Sequence, residues 1–398
     1  MRAPPPDSNI PWLTALPTVA PSALLRSARR GRLPAPLDAD GVTLYVKARN
    51  GIWQLLRALA LDESDVVLVP SYNCGAELDA VLKAPAAVRF YRVDRSGRID
   101  GDDFRRAIEA GPRAAIVTHY FGFAEPDLPA IVDVCRDHGV VLIEDSTNAL
   151  YSTHAGRLLG TFGDAAVFSL RKTLPIPNGG AVLARPPLSL TRATATPPFE
   201  AWFTPLRVSL EGHLLFRYGR AGWVAARLSN RLARLGARAG KPFHRQNGAA
   251  LEVGLNPHVT FDRSTANWSM SPAARRIATG SPHAEIAPRR RRNYEFLAQE
   301  LDGLRETRPL YPTLANGVCP LVFPLVVDDP PSLLRRLETN RIRGEFFWSD
   351  FHPAFPAHEF PDSTYLKTHV VALPIHQDLD PDLLTRVVDV VRSWSRRG

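Results

Sequence analysis

At 398 residues, 45% hydrophobic and 22% charged, the chain has the composition of an ordinary globular protein with room for two domains. Its net charge of +9 comes almost wholly from arginine, since only five of the 49 basic residues are lysine: Lys47, Lys83, Lys172, Lys241 and Lys367. Three cysteines isolated in sequence (Cys74, Cys135, Cys319) argue against a disulfide framework and a cysteine-cluster metal site, and no metal is expected.

No zinc-finger spacing or RNP-like aromatic motif accompanies the basic charge, so an anionic small molecule is the expected partner rather than nucleic acid. No charged start followed by an apolar core occurs, nor any run long enough to span a bilayer, and a cytoplasmic location is the default expectation.

Residues 1 to about 43 are Pro-rich without clear periodicity and read as an extended arm with one short helix near Ser22. From Ile52 to Leu61 apolar residues recur at helical spacing, preceded by the small polar turn Ala48-Arg49-Asn50-Gly51. A turn feeding a helix presents free N–H groups and a favourable dipole, which is either an anion site or an ordinary helix start. Strands are expected at 66–69, 88–93 and 114–120, with helices at 76–82, 102–110 and 128–138. Strand and helix alternate through short connections, which predicts a large, mostly parallel sheet covered on both faces.

The stretch from Val140 to Gly180 carries the chemistry. Val140–Ile143 reads as a buried strand ending on Glu144 and Asp145; a second apolar run, 165–170, ends on Arg171 and Lys172; a third, 180–183, follows a Gly pair. An acid and an amine thus sit at strand exits, where open α/β sheets bind ligands. Pyridoxal phosphate (PLP) uses such a pair, a lysine to carry it and a carboxylate to keep its ring nitrogen protonated. On spacing alone, Asp145 as a helix cap and Lys172 as a solvated loop lysine is the favoured reading.

Beyond Arg185, residues 186 to about 265 are rich in Pro, Arg and Trp. Within them Ala221, Val224, Ala225, Leu228, Leu232 and Leu235 form one stripe of a helix over 221–236, flanked by Arg220, Arg227, Arg231, Arg234 and Arg238. Such a helix either lies on an anionic membrane surface or packs on the protein with a solvated arginine flank. A smaller α/β unit is expected from 266 onward: a charged helix over 289–304, strands at 321–327, 345–348 and 370–375, and helices at 332–337 and 382–394. Arg289–Arg292 reads as a solvated helix start, and His376 as a turn residue.

The segments EDSTNA and GTFGDAAVFSLRKTLPIPNGG resemble the DegT/DnrJ/StrS family of sugar aminotransferases, with Lys172 seven and eight residues before Gly179 and Gly180. The run from Ser169 to the lysine is about two residues shorter than in relatives. The resemblance implies the fold type I PLP-transferase architecture: a large PLP-binding domain over 1–265 and a small C-terminal domain over 266–398. It implies Lys172 and Asp145 as catalytic residues, and Arg49, Asn50 and Ser169 around the cofactor phosphate. Asn148 falls near the cofactor's phenolic oxygen. Cys74 takes the place of the family's ring-stacking aromatic, with Tyr72 or His119 as alternatives for that contact. Asn267, in a segment resembling the family's NYRM, reaches the phosphate of the other subunit of a homodimer. The implied activity is PLP-dependent amino transfer from glutamate to a keto sugar, nucleotide-linked, of the kind used in polysaccharide biosynthesis. The alternatives are a non-catalytic PLP-fold binding or regulatory protein, and a PLP-dependent sugar dehydratase of the same family. Dehydratase relatives replace the lysine with histidine, so Lys172 counts against the latter.

Overall fold

The computed structural model describes residues 10–25, 32–239 and 261–395, except for the side chains of 25 and 229–239. Helix α1 (Pro21–Leu25) lies in the N-terminal arm. The main sheet is built from Val42–Tyr45 (β1), Val66–Pro70 (β2), Ala87–Tyr91 (β3), Ala114–Thr118 (β4) and Val141–Asp145 (β5). After a small hairpin, Thr153–His154 (β6) with Arg157–Leu158 (β7), it is completed by Ala165–Ser169 (β8) and Gly180–Ala184 (β9). Its order is β1-β9-β8-β5-β4-β2-β3. The five strands from β8 to β3 are parallel, and β9 and β1 close the edge antiparallel. All residues of β4, β8 and β9 are buried, as strands covered on both faces must be. Helices Ala48–Ala58 (α2), Gly75–Leu82 (α3), Gly101–Glu109 (α4) and Leu128–Asp137 (α5) connect them. The parallel strands bring Pro70, Thr118, Asp145 and Ser169 to one edge of the sheet, and the short helix Leu170–Thr173 (α6) starts there.

Helix α2 begins four residues earlier than its periodicity suggests, so Ala48–Gly51 is its first turn rather than a connector. Close packing on the sheet is the reason. A Cβ at Gly180 would fall 2.3 Å from the Ala48 backbone nitrogen, and one at Gly51 would meet the Val182 side chain at 2.4 Å. Gly51, which reads as a turn former, is a packing residue.

After β9 the chain runs into Phe199–Ala239 (α7), bent sharply at Gly219, whose φ of 48° and ψ of −115° suit only glycine. Pro272–Thr279 (α8) and His283–Glu300 (α9) follow. A second sheet is formed by Thr307–Pro309 (β10), Phe323–Val327 (β11), Glu345–Phe346 (β12) and Val370–Leu373 (β13), order β10-β11-β13-β12, all antiparallel. It is accompanied by Pro330–Thr339 (α10), Pro361–His369 (α11) and Pro381–Ser395 (α12). One apolar cluster joins the two sheets, running from Leu68 and Val117 through Tyr72 and Phe121 to Phe323 and Val371. The N-terminal arm is tied to the second sheet region: Leu13 exchanges backbone hydrogen bonds with Arg341 and Arg343.

The strand expected at 345–348 stops at Phe346, and Trp348 has φ +54°, which no strand residue can hold. Helix α9 starts at His283, so Arg289–Arg292 lies in its body, and Arg290 is fully buried rather than solvated. His376 is buried beside Thr14, and burial and then Arg290 push its imidazole down to about 3.

Glu144 anchors the loop that follows β7. Its carboxylate accepts from the N–H groups of Gly160 (2.7 Å), Phe162 (2.6 Å) and Gly163 (2.7 Å) and from His119 Nε2 (3.0 Å), wholly out of solvent. His119 Nδ1 accepts from the Glu125 N–H, which fixes the Nε2–H tautomer. Burial alone would raise the Glu144 carboxyl; these hydrogen bonds, led by His119, outweigh it and hold it below the usual range. Glu144→Ala strands several buried donors, each worth about 1–3 kcal/mol, and should lower unfolding stability by about 3 kcal/mol or more, read from the urea midpoint. A depressed native pKa adds stability above the ordinary carboxylate pKa that disappears as pH falls through the native one. The wild-type advantage over Glu144→Gln should therefore shrink in acid.

Candidate active site

Lys172 sits in α6, immediately beyond the C-terminal end of β8, and is 7% exposed. Its Nζ donates to Asn148 Oδ1 at 2.9 Å and Thr147 Oγ1 at 3.3 Å. Both acceptors lie in the loop leaving β5, whose last residue is Asp145. Asp145, 3% exposed, accepts from the Thr147 N–H at 2.8 Å. One short loop therefore orients both the carboxylate and the amine. Burial lowers the Lys172 ammonium from its ordinary value; Cys74 and Asp145 oppose that shift and Arg171 adds to it. A lysine held this way gives up its proton more readily, as a nucleophile or base requires.

A cationic cluster lies beside it. Lys47 is the N-cap of α2 and makes no side-chain capping bond, and the helix has no acid in its first turn. The Lys47 side chain reaches solvent, yet the protein packed around it, and then Arg49 and Arg171, push its ammonium down to about 8. Burial and then Arg49 lower Arg171 as well. Lys47, Arg49 and Arg171 thus act on one another electrostatically near the N-terminus of α2, where charge and helix dipole both favour an anion.

The other expected residues are placed as follows. Asn148 is 1% exposed, and its Nδ2 has no hydrogen-bond partner among the described residues. Ser169 is buried at the end of β8, paired in register with Gly180. Asn50 is buried and commits its amide to the Thr265 carbonyl at 2.6 Å. Asn267 is exposed and accepts from Gln54 Nε2 of α2 at 2.5 Å. Cys74, half-buried, is the N-cap of α3 and belongs to the same electrostatic neighbourhood as Lys172. Tyr72 is fully buried, its ring 5.1 Å from Tyr120 and 5.3 Å from Trp348, with its hydroxyl 3.4 Å from the Phe347 carbonyl.

Four further residues shape the site without a signal in the sequence pattern. Trp348 places its ring 6.0 Å from Lys172 Nζ; it is 4% exposed, strained at positive φ, and its Nε1 has no partner among the described residues. A bulky residue held at positive φ marks a position the surrounding structure over-determines. Glu77, in the first turn of α3, is in hydrogen-bonding contact with Asp145; burial and then Asp145 raise it well above the usual carboxylate range. Burial pushes Glu345 up to about 7, against the pull of Arg343, Arg171 and Lys172.

The fourth, Arg290, is fully buried and fans out from α9 to the Leu321 carbonyl (2.8 Å), Gln377 Oε1 (2.9 Å) and the carbonyls of Lys172 (3.4 Å) and Thr173 (3.5 Å). It staples the lysine-bearing turn to the second sheet region. Arg290→Met should cost about 2–4 kcal/mol in urea unfolding, because it leaves buried carbonyls unpaired. Arg290→Lys should recover only part of that, since a point charge cannot reproduce the guanidinium fork.

Buried polar atoms without partners (Asn148 Nδ2, Glu77 Oε1, Trp348 Nε1) thus surround a lysine beside an anion site. A polar ligand carrying a phosphate fits that donor set. Among the described residues no cluster of His, Cys, Asp and Glu could hold a metal ion.

The family model described as the DegT/DnrJ/EryC1/StrS aminotransferase family matches residues 47–195. Among curated proteins, the chain is 30% identical over 132 residues to GDP-perosamine synthase of Vibrio cholerae, covering 32% of this chain and 36% of that protein. It is 33% identical over 160 residues to dTDP-4-dehydro-2,3,6-trideoxy-D-glucose 4-aminotransferase of Saccharopolyspora spinosa, covering 39% and 41%. These matches span well under half of the relatives' length. Among solved structures, the aminotransferase TlmJ from Streptoalloteichus hindustanus superposes with a TM-score of 0.66 over 97% of this chain and 99% of its own, at 22% identity. The PLP form of the putative sugar aminotransferase Spr1654 from Streptococcus pneumoniae gives 0.65 over 98% and 99%, at 15% identity. The fold is that of these sugar aminotransferases, fold type I, as the sequence motifs implied.

Proposed function

We propose that this chain, whose residues 47–195 match the DegT/DnrJ/EryC1/StrS aminotransferase family, is a PLP-dependent aminotransferase that moves an amino group from an amino acid to a nucleotide-linked keto sugar. The observation that carries it is Lys172: a buried amine oriented by Asn148 and Thr147, under the electrostatic influence of Asp145 and Arg171. When bound, PLP supplies the carrier carbonyl and the electron sink for the substrate carbanion.

The chain's own groups do the rest. The α2 N-terminus with Lys47, Arg49 and Arg171 binds the phosphate, with Ser169 at its edge. Asp145 Oδ atoms, steadied by the Thr147 N–H, hold a proton on the ring nitrogen. Lys172 Nζ would serve as the base that takes the proton from the substrate Cα and as the acid that returns it to the cofactor's carrier carbon, across the nitrogen between them. Asn148 Nδ2, without a partner among the described residues, would donate to the phenolic oxygen. Trp348, whose ring lies 6.0 Å from Lys172 Nζ, with Tyr72 packed on it and Cys74 nearby, would wall the cofactor ring. Glutamate is the proposed donor, a homodimer the proposed assembly, and Asn267 the residue offered to the other subunit's phosphate; a sedimentation mass near that of one chain would remove the last two.

The substrate class is tested by incubating the protein with PLP, glutamate and a panel of keto-sugar nucleotides. A product whose mass shows C=O replaced by CH–NH₂ is expected. Conversion of glutamate to 2-oxoglutarate with no aminated nucleotide would retain the aminotransferase and remove the nucleotide-linked acceptor.

A further inference from the structure

Helix α7 offers a surface that the site does not use. Beyond the bend at Gly219 its inner face is made of small residues: Gly219, Gly222 and Ala226 are buried, and a Cβ at Gly222 would collide with the Leu214 carbonyl. The opposite face is not covered by the rest of the chain as described. Ala221, Val224, Ala225 and Leu228 are exposed, Val224 at 46% and Leu228 at 55%, with Tyr218 at 59% beside the bend. The helix thus packs on the protein through its small-residue face, while the apolar stripe over 221–228 stays exposed. Exposed Arg220 and Arg227 flank the stripe, and the Arg227 guanidinium lies 4.5 Å from the centre of the Trp223 ring.

In sequence the pattern continues. Between residues 212 and 239 there are six arginines (Arg217, Arg220, Arg227, Arg231, Arg234, Arg238) and no acid, and Leu232 and Leu235 keep the apolar spacing. The side chains of 229–239 lie outside the described residues. The second half of α7 is about 30 Å long at 1.5 Å per residue. Among the described residues no helix is long and apolar enough to cross a membrane.

We propose that this half of α7 is a docking surface for a membrane containing anionic phospholipid, lying in the headgroup plane with the Val224–Leu228 stripe in the acyl boundary and the arginines on lipid phosphates. The combination selects the occupant. Two copies of this face paired about a two-fold axis would bring like-charged arginine flanks together. A polyanion such as nucleic acid would neutralise the arginines and leave the stripe in water. An anionic bilayer satisfies both faces, and the cation–aromatic pair of Arg227 and Trp223 suits its interface.

The test is flotation of the full chain with vesicles of phosphatidylcholine, with and without phosphatidylglycerol, at low and high salt. Binding to the anionic vesicles at low salt is expected, falling steeply as salt rises. Each basic residue near an anionic surface is worth about fivefold in partitioning, so Arg220→Gln with Arg227→Gln should weaken binding about 25-fold. Val224→Asp with Leu228→Asp should weaken it at least tenfold; these exposed positions leave the fold and amino transfer unchanged. No binding to anionic vesicles at low salt, or equal binding to neutral ones, overturns the proposal. So does an oligomer that the Asp variants dissociate while vesicle binding persists, which assigns the face to a second copy.

Discussion

Lys172→Ala is expected to lose both the visible absorbance of the bound cofactor and amino transfer, while the fold survives. The buried amine donates to two oriented acceptors, Asn148 and Thr147, and feels both the Asp145 carboxylate and Arg171. Proton transfer by a positioned side chain contributes about 10²–10⁴-fold, and loss of covalent attachment adds to it, so a fall of about 10⁴-fold or more is expected. Stability should not fall by more than about 1–2 kcal/mol, because removing a buried cation also removes its desolvation cost. Residual turnover near wild type would refute the assignment. The wild-type pH profile carries a second signature. The Lys172 ammonium is lowered by burial, so the rising limb of activity belongs below the ordinary lysine range. Arg171 contributes to that lowering, and Arg171→Gln should move the limb upward.

Asp145→Asn should keep the fold and retain a coloured cofactor, yet slow amino transfer on the order of 10²–10⁴-fold, since an amide cannot hold a proton on the ring nitrogen. Asp145 also favours the charged form of Lys172. Its removal should therefore shift the activity limb further toward acid, a change that a merely structural role would not produce. Glu77 bears on this result: its raised carboxyl touches Asp145, so in Asp145→Asn it loses a neighbouring negative charge.

The sequence makes the strand exits legible. β5 and β8 are short apolar runs that end on chemically distinct residues, and the alternation of helix and strand from α2 to β5 is the one found, while β1, the β6–β7 hairpin and α6 are too short to stand out. What it hides is set by distant partners. Four consecutive arginines in a helix look solvated, but Arg290 is buried against carbonyls 118 positions away. The aromatic run ending in Trp348 looks like a strand because its positive φ leaves no mark on periodicity. Gly51 looks like a turn residue, whereas the close approach of α2 to β9 requires both it and Gly180. The stripe on α7 is visible in sequence, but its exposure depends on the glycines that turn the other face inward.

The most direct test of the central claim is a single-turnover measurement on the purified protein loaded with PLP and mixed with glutamate. The visible absorbance is expected to disappear while one 2-oxoglutarate forms per cofactor, and Lys172→Ala under the same conditions is expected to do neither. Absorbance that glutamate and other amino donors leave unchanged, with no keto acid formed, would contradict it and favour a protein that binds the cofactor without transferring an amino group.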